Sequence, residues 1–336
     1  MTGTPPSGYD WSGRRVLVTG TGGFIGSHLA ERLVELGAEV RGFFRYTSGG
    51  GLGWIEHTEP EVRNAIDPVL GDLRDADAVH GAVRGTELVF HLGALIGIPY
   101  SYVHPRETFD TNVAGTLNVV TAARDHDLSL LVHTSTSETY GTAAYVPIDE
   151  RHPLQAQSPY SATKIAADKL VESFHHSFAV PVTTVRPFNT YGPRQSPRAV
   201  IPTIASQALQ GTTLALGHLS PTRDFTYVSD TVEGFIRAAE VAAIGQTCNL
   251  GSGEEISVGG LVELVGEILG KQLHVEHDPK RDRPEASEVD RLVADNTRAR
   301  EVLGWEPTVS LRDGLRRTLE WIGETRQSSR PGAYAI

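Results

Sequence analysis

Val16-Leu17-Val18-Thr19-Gly20-Thr21-Gly22-Gly23-Phe24-Ile25-Gly26 decides the fold. An apolar run stops at a glycine, and an amphipathic stretch over 24–36 follows at once. Gly20, Gly23 and Gly26 stand three apart. The first glycine permits a tight turn. The second lets backbone N–H groups approach a diphosphate, and the third lets a helix pack close to its strand. The positive end of that helix then points at the phosphates. At the chain's first strand–helix junction, this spacing predicts a dinucleotide pyrophosphate site built from Gly20, Gly23, Phe24, Ile25 and Gly26.

Working outward, short β-branched runs at 15–19, 39–44, 68–70, 87–91, 128–134 and 182–186 alternate with helical patterns at 24–36, 75–83, 106–125 and 159–178. Such alternation predicts an α/β fold, a Rossmann-type doubly wound parallel sheet. After Arg186 the pattern loosens into proline and glycine, then helices near 201–209, 258–269 and 311–321. This half reads as a smaller mixed C-terminal substrate lobe. The dinucleotide-binding domain takes 11–187 plus about 226–255, and the substrate lobe takes 188–225 plus about 256–325. Residues 1–10 and 327–336 read as flexible tails, and the glycine-rich 48–53 as a mobile loop.

Bulk properties exclude several classes. The net charge of -11 disfavours nucleic acid and anionic membrane as partners. The single cysteine, Cys248, rules out a disulfide framework. The 13 histidines show no paired ligand spacing, so no metal site is expected. No apolar run approaches membrane-span length and no signal-type segment opens the chain, so a cytoplasmic location is expected.

Further strand ends complete the nucleotide site. Asp72 and Leu73 follow the third strand, where an aspartate can accept from an adenine amino group. Leu92 and Ala94 flank Gly93 after the fourth, where small residues let backbone lie against a cofactor. The second strand ends in Phe44-Arg45, where an acid would usually bond the adenosine ribose. Arg45 suits either a 2′-phosphate or stacking on adenine, so this position leaves NAD and NADP open. NAD is the expected cofactor, because a reaction that regenerates its own oxidant has no need to release it.

The chemistry lies in Tyr160-Ser161-Ala162-Thr163-Lys164 and in Ser135-Thr136-Ser137-Glu138. Residues four apart share a helix face, so Lys164 stands beside the Tyr160 hydroxyl. A nearby cation lowers a phenol pKa and makes tyrosinate a feasible base. Thr136 is placed to donate to the substrate oxygen being oxidised.

From about residue 14 to 322 the chain resembles the extended short-chain dehydrogenases that act on nucleotide sugars. The resemblance rests on Gly20–Gly26, Asp72, Thr136, Tyr160, Lys164, the Arg186–Arg194 segment, Arg223–Val228 and Gly304–Pro307. It implies that Asn189 and Arg194 face the sugar diphosphate, and that Arg223 and Arg291 hold pyrophosphate and ribose. It also implies a homodimer through a four-helix interface, in which helices 106–125 and 159–178 pair across a two-fold axis.

All branches of that family begin by oxidising the sugar C4. Thr136-Ser137-Glu138 resembles the UDP-glucuronate decarboxylases, where the dTDP-glucose 4,6-dehydratases carry an acid in place of Ser137. Residues 98–102 resemble the aminoarabinose-pathway decarboxylase and make Tyr102 a sugar contact. Residues 142–148, 157–160 and 194–202 instead resemble the 4,6-dehydratases of the legionaminic acid pathway. Gln157 stands where decarboxylases carry an arginine. The leading expectation is UDP-glucuronate converted to UDP-4-keto-xylose or UDP-xylose. The alternative is an NDP-hexose 4,6-dehydratase, and 4-epimerisation ranks third.

Overall fold

A computed structural model describes residues 8–281 and 289–328. Seven strands form one parallel sheet: β1 (Arg15–Thr19), β2 (Glu39–Arg45), β3 (Ile66–Gly71), β4 (Leu88–His91), β5 (Leu130–Thr134), β6 (Val182–Pro187) and β7 (Thr247–Leu250). Their order is β7-β6-β5-β4-β1-β2-β3. The chain reverses direction across the sheet between β1 and β4, and the crevice beyond the carboxyl ends of these strands is where such folds bind ligands. The central strands are covered on both faces, as their continuous apolar runs require: Leu17, Val18, Val89, Phe90, Leu131 and Val132 are all buried.

The main helices are α1 (Phe24–Glu35), α2 (Ala76–Val83), α3 (105–125), α4 (Pro159–Phe178), α5 (Val200–Gln210), α6 (Val228–Glu240), α7 (Val258–Leu269) and α8 (Leu311–Ser328). Helix α3 is continuous, with one π-helical turn at Asp110–Ala114. Helix α4 starts firmly, because Ser158 and Ser161 form a reciprocal capping box and Pro159 presets the first turn. In the smaller lobe α5 packs on α7 and α8. The buried Asp230 carboxylate accepts from Thr308 Oγ1 and the Val309 N–H, and Trp305 donates to the Asp230 carbonyl. These bonds fasten the Gly304–Pro307 segment to α6.

Two expectations need correction. The tails at 1–10 and 327–336 fall mostly outside the described residues, but Tyr9 packs on the buried Trp11 and residues 327–328 end α8. Nor does the 48–53 loop hang free: the Trp54 N–H bonds the Gly22 carbonyl at 3.0 Å, and the Leu52 N–H bonds Glu56 Oε1 at 2.7 Å. The loop end is thereby docked onto the glycine-rich turn.

Burial holds three imidazoles neutral. His91 and His133 lie under the sheet edge with their pKa values lowered, and His28 is brought down to about 4. Below about pH 6.5 the unfolded chain protonates these rings while the folded chain does not. Stability is therefore fully present above that pH and is lost as pH falls through it. The raised carboxyls of Glu150 and Asp224 act the opposite way, over a window that opens at the ordinary carboxylate pKa of about 4. The urea midpoint is expected to fall between pH 7 and pH 5, with the unfolding free energy dropping by up to about 1.4 kcal/mol per pH unit for each histidine. An unchanged midpoint would contradict this.

Candidate active site

The first half of the site is the turn between β1 and α1. Gly20 has φ +74°, and a Cβ placed on Gly26 would lie 2.2 Å from the Gly20 carbonyl oxygen. Helix α1 carries no acid in its first turn and no side-chain cap, so its leading N–H groups are free to meet an anion. Across the turn, Thr19 Oγ1 accepts from the Gly93 N–H at 3.0 Å. Asn112 of α3 bonds both the N–H and the carbonyl of Leu95, at 2.7 and 2.9 Å. These bonds fix the chain around Leu92 and Ala94. The residues fit a dinucleotide: open backbone donors, a cradle that a side chain would fill, and a cavity at the far end.

That cavity is lined by Arg45, Asp72, Leu73, Arg74 and Ala94, among others. Asp72 does not present a free carboxylate there. Arg74 grips both its oxygens, at 2.9 and 2.6 Å, and holds its pKa below the usual carboxylate range. Arg45 leans toward Glu107 of α3 at 3.4 Å. Both predicted adenosine contacts are thus already drawn into a chain of alternating charges.

The second half lies at the ends of β5 and α4. Thr136 is extended, and residues 137–140 form a tight helical turn that buries Ser137, Thr139 and Tyr140. Thr136 and Glu138 remain partly open, while Ser137 is only 2% exposed. Ser137 is thus enclosed by its own turn, whereas Thr136 and Glu138 lie on the more open side. Tyr160 is buried, and its phenol is hydrogen-bonded to Thr136. Burial raises the phenol pKa, the Thr136 bond opposes that, and the charges of Glu138 and Asp168 add to the rise.

Lys164 Nζ donates to the Thr134 carbonyl at 2.6 Å. Burial brings its pKa down to about 8, with Asp168 opposing. The expected lowering of the phenol by Lys164 is thus not what this geometry displays, since the ammonium is anchored at the strand end. Tyr102, partly exposed, sits on the turn Ile98–Val103, which is tied to α4 by Ser101 Oγ accepting from the Tyr160 N–H at 3.2 Å.

The remaining predicted contacts do not all converge. Asn189 Nδ2 donates to the Asp224 carbonyl at 3.1 Å. Arg223 is buried on a short strand between Ile256–Ser257 and Arg291–Leu292. Arg291 is gripped by Glu255 through two nitrogens. Arg194 leaves the group: it pairs with Glu31 at 2.9 Å and reaches Ser27, both on α1. Glu31 captures it because α1 presents that carboxylate to the loop after residue 191. The buried Asp224 carboxylate accepts from Ser252, Gly253 and Ala294.

Sequence reading missed Asn112, Asp168 and Arg186, all buried polar side chains around the site. The available signal was spacing: Asp168 lies four residues beyond Lys164, one turn further on the same face.

A family model described as GDP-mannose 4,6 dehydratase matches residues 17–318. A UDP-glucose 4-epimerase of Mycolicibacterium smegmatis is 36% identical over 93% of this chain and 100% of its own length. UDP-glucuronic acid decarboxylase 2 of Arabidopsis thaliana is 33% identical over 93% of this chain and 69% of its own. Among solved structures, a double mutant of DesIV, a dTDP-glucose 4,6-dehydratase from Streptomyces venezuelae with NAD bound, superposes with a TM-score of 0.83. It is 29% identical, with 94% of this chain and 98% of that chain covered.

Gly26→Ala tests the cradle. The neighbouring atom is a backbone carbonyl that cannot swing aside, so the turn must open. Dinucleotide affinity by calorimetry is expected to fall at least about tenfold, or about 1.4 kcal/mol, with the fold retained. Unchanged affinity would show that close packing of this turn is not needed.

Proposed function

The chain belongs to the GDP-mannose 4,6-dehydratase family of extended short-chain dehydrogenases acting on nucleotide sugars, and within it we propose an NAD-dependent 4,6-dehydratase of a nucleoside-diphosphate hexose. The observation that carries this reading is Gln157. Its Oε1 accepts from the Thr142 N–H at 2.7 Å, and its Nε2 donates to Thr142 Oγ1 at 3.1 Å. The position where the resembling decarboxylases carry an arginine thus offers no cation to a C6 carboxylate. An uncharged hydroxymethyl at C6 needs no such cation.

NAD, when bound, would supply a hydride acceptor for C4 and a hydride for the later reduction. Tyr160 takes the proton of the 4-hydroxyl, and Thr136 donates to the same oxygen. Lys164 holds its positive charge beneath them. The new C4 ketone acidifies C5–H, which Glu138 removes. The same carboxyl then returns that proton to the departing 6-hydroxyl, so that water leaves across C5–C6 and no second acid is required of Ser137.

Decarboxylation of UDP-glucuronate to UDP-4-keto-xylose or UDP-xylose is the second reading, favoured by the absence of an acid at Ser137 and by the decarboxylase relative. Mass spectrometry of products from UDP-, dTDP- and GDP-hexoses, their N-acetylated forms and UDP-glucuronate separates the two. Loss of water from a hexose is expected. Loss of carbon dioxide from the uronate, with every hexose untouched, would overturn the dehydratase. An unchanged mass with inverted C4 would assign an epimerase. Glu138→Gln should still oxidise C4 but slow water loss by about 10²–10⁴-fold.

We also assign a homodimer contact to the outer faces of α3 and α4, where Phe109, Leu117 and Phe178 stand exposed. Light scattering is expected to give twice the chain mass, and a monomer at micromolar concentration would contradict it.

A further inference from the structure

We propose that Asp168 is a positioning residue for C4 oxidation, joining the segment that carries Thr136 and Glu138 to the helix face that carries Tyr160 and Lys164. The inference rests on the reading that Tyr160 and Lys164 oxidise C4.

Tyr160, Lys164 and Asp168 follow one another at four-residue steps along α4, and all three are buried. The Asp168 carboxylate accepts from His133 Nε2 at 3.0 Å, Ser135 Oγ at 2.7 Å and Arg186 Nη2 at 2.8 Å. Ser135 immediately precedes Thr136. Arg186 also donates to the Tyr140 hydroxyl at 3.0 Å, and Tyr140 closes the turn that carries Glu138. That hydroxyl in turn donates to Asn249 Oδ1 on β7 at 2.7 Å. Both ends of the 135–140 segment are therefore pinned to one carboxylate on the catalytic helix.

The charge matters as well as the bonds. The titratable groups around Lys164 are Tyr160 and Asp168 on its own helix, His91 on β4, His133 on β5, Glu138 on the turn and Arg186 on β6. Burial keeps both histidines neutral. Burial also disfavours the Lys164 ammonium, and Asp168 is the charge that counters this. A neutral residue in its place would let Lys164 lose its proton more readily, and would also remove a charge that raises the Tyr160 phenol.

The test exploits a sparse label. The chain has 4 lysines, at 164, 169, 271 and 280, so lysine carbon-13 NMR resolves each titration. Lys164 is expected to titrate near 8 in the natural protein. In Asp168→Asn it should titrate at least about one pH unit lower. The alkaline limb of C4 oxidation, followed as reduced nicotinamide, should move by the same amount. The loss at pH 8 should be at least about fivefold in kcat, with KM little changed. Asp168→Glu should restore both.

Should the lone Asn variant fail to fold because Arg186 is left buried without its partner, the pair Asp168→Asn with Arg186→Met removes both charges, and Lys164 should still titrate below the natural protein, by less than in the single variant because a neighbouring cation has gone too. A folded variant whose Lys164 titrates as in the natural protein would overturn the inference. So would an Asn variant indistinguishable from the Glu variant. If no nucleotide sugar reduces the cofactor in the natural protein, the C4 reading fails instead, and the Lys164 titration still decides the role of Asp168.

Discussion

A buried carboxylate, Asp168, bonded by donors from two strands, fixes the distance on which this site depends. Base and oxyanion donor arise from separate elements, Tyr160 from a helix and Thr136 from a strand end. Nothing in either element alone sets their separation. The ion pair with Arg186 is costly to desolvate and gives little net stability. What it confers is geometry: with Arg186 turned to Tyr140 and Asp168 to Ser135, the turn bearing Glu138 has one place to lie.

The same logic governs the cofactor half. Gly20 and Gly26 bring the turn and the first helix into contact, and Asn112 fixes the facing chain through both polar groups of Leu95. One side of the crevice is set by close backbone packing and the other by short side chains bonded to backbone groups. The adenosine end differs. There Arg45, Glu107, Arg74 and Asp72 form a chain of exposed and half-exposed charges, which a ligand can rearrange at modest cost.

Much of this was legible in the sequence, for physical reasons. Glycine spacing at Gly20–Gly26 reports a backbone requirement, and Tyr160 with Lys164 reports helical periodicity. Both are local. The apolar runs of β1, β4 and β5 announced strands buried on both faces. What escaped depends on partners distant in sequence. The ion pairs that hold Arg194 to Glu31 and Asp72 to Arg74 had no sign in the sequence. Ser137 matched a motif slot, yet the turn that follows β5 buries it. The glycines at 49–53 suggested mobility, whereas the bond from Trp54 to Gly22 docks that loop.

The account centres on one site that removes hydride from C4 and delivers it to another carbon of the same sugar. A nucleoside-diphosphate hexose carrying deuterium at C4 probes this directly, with the product read by NMR and mass spectrometry. The account predicts a product that has lost water and carries the deuterium at C6, because elimination leaves C6 as the electrophilic end of an enone. Deuterium still at C4 of a dehydrated product, or lost altogether from the sugar, would contradict it.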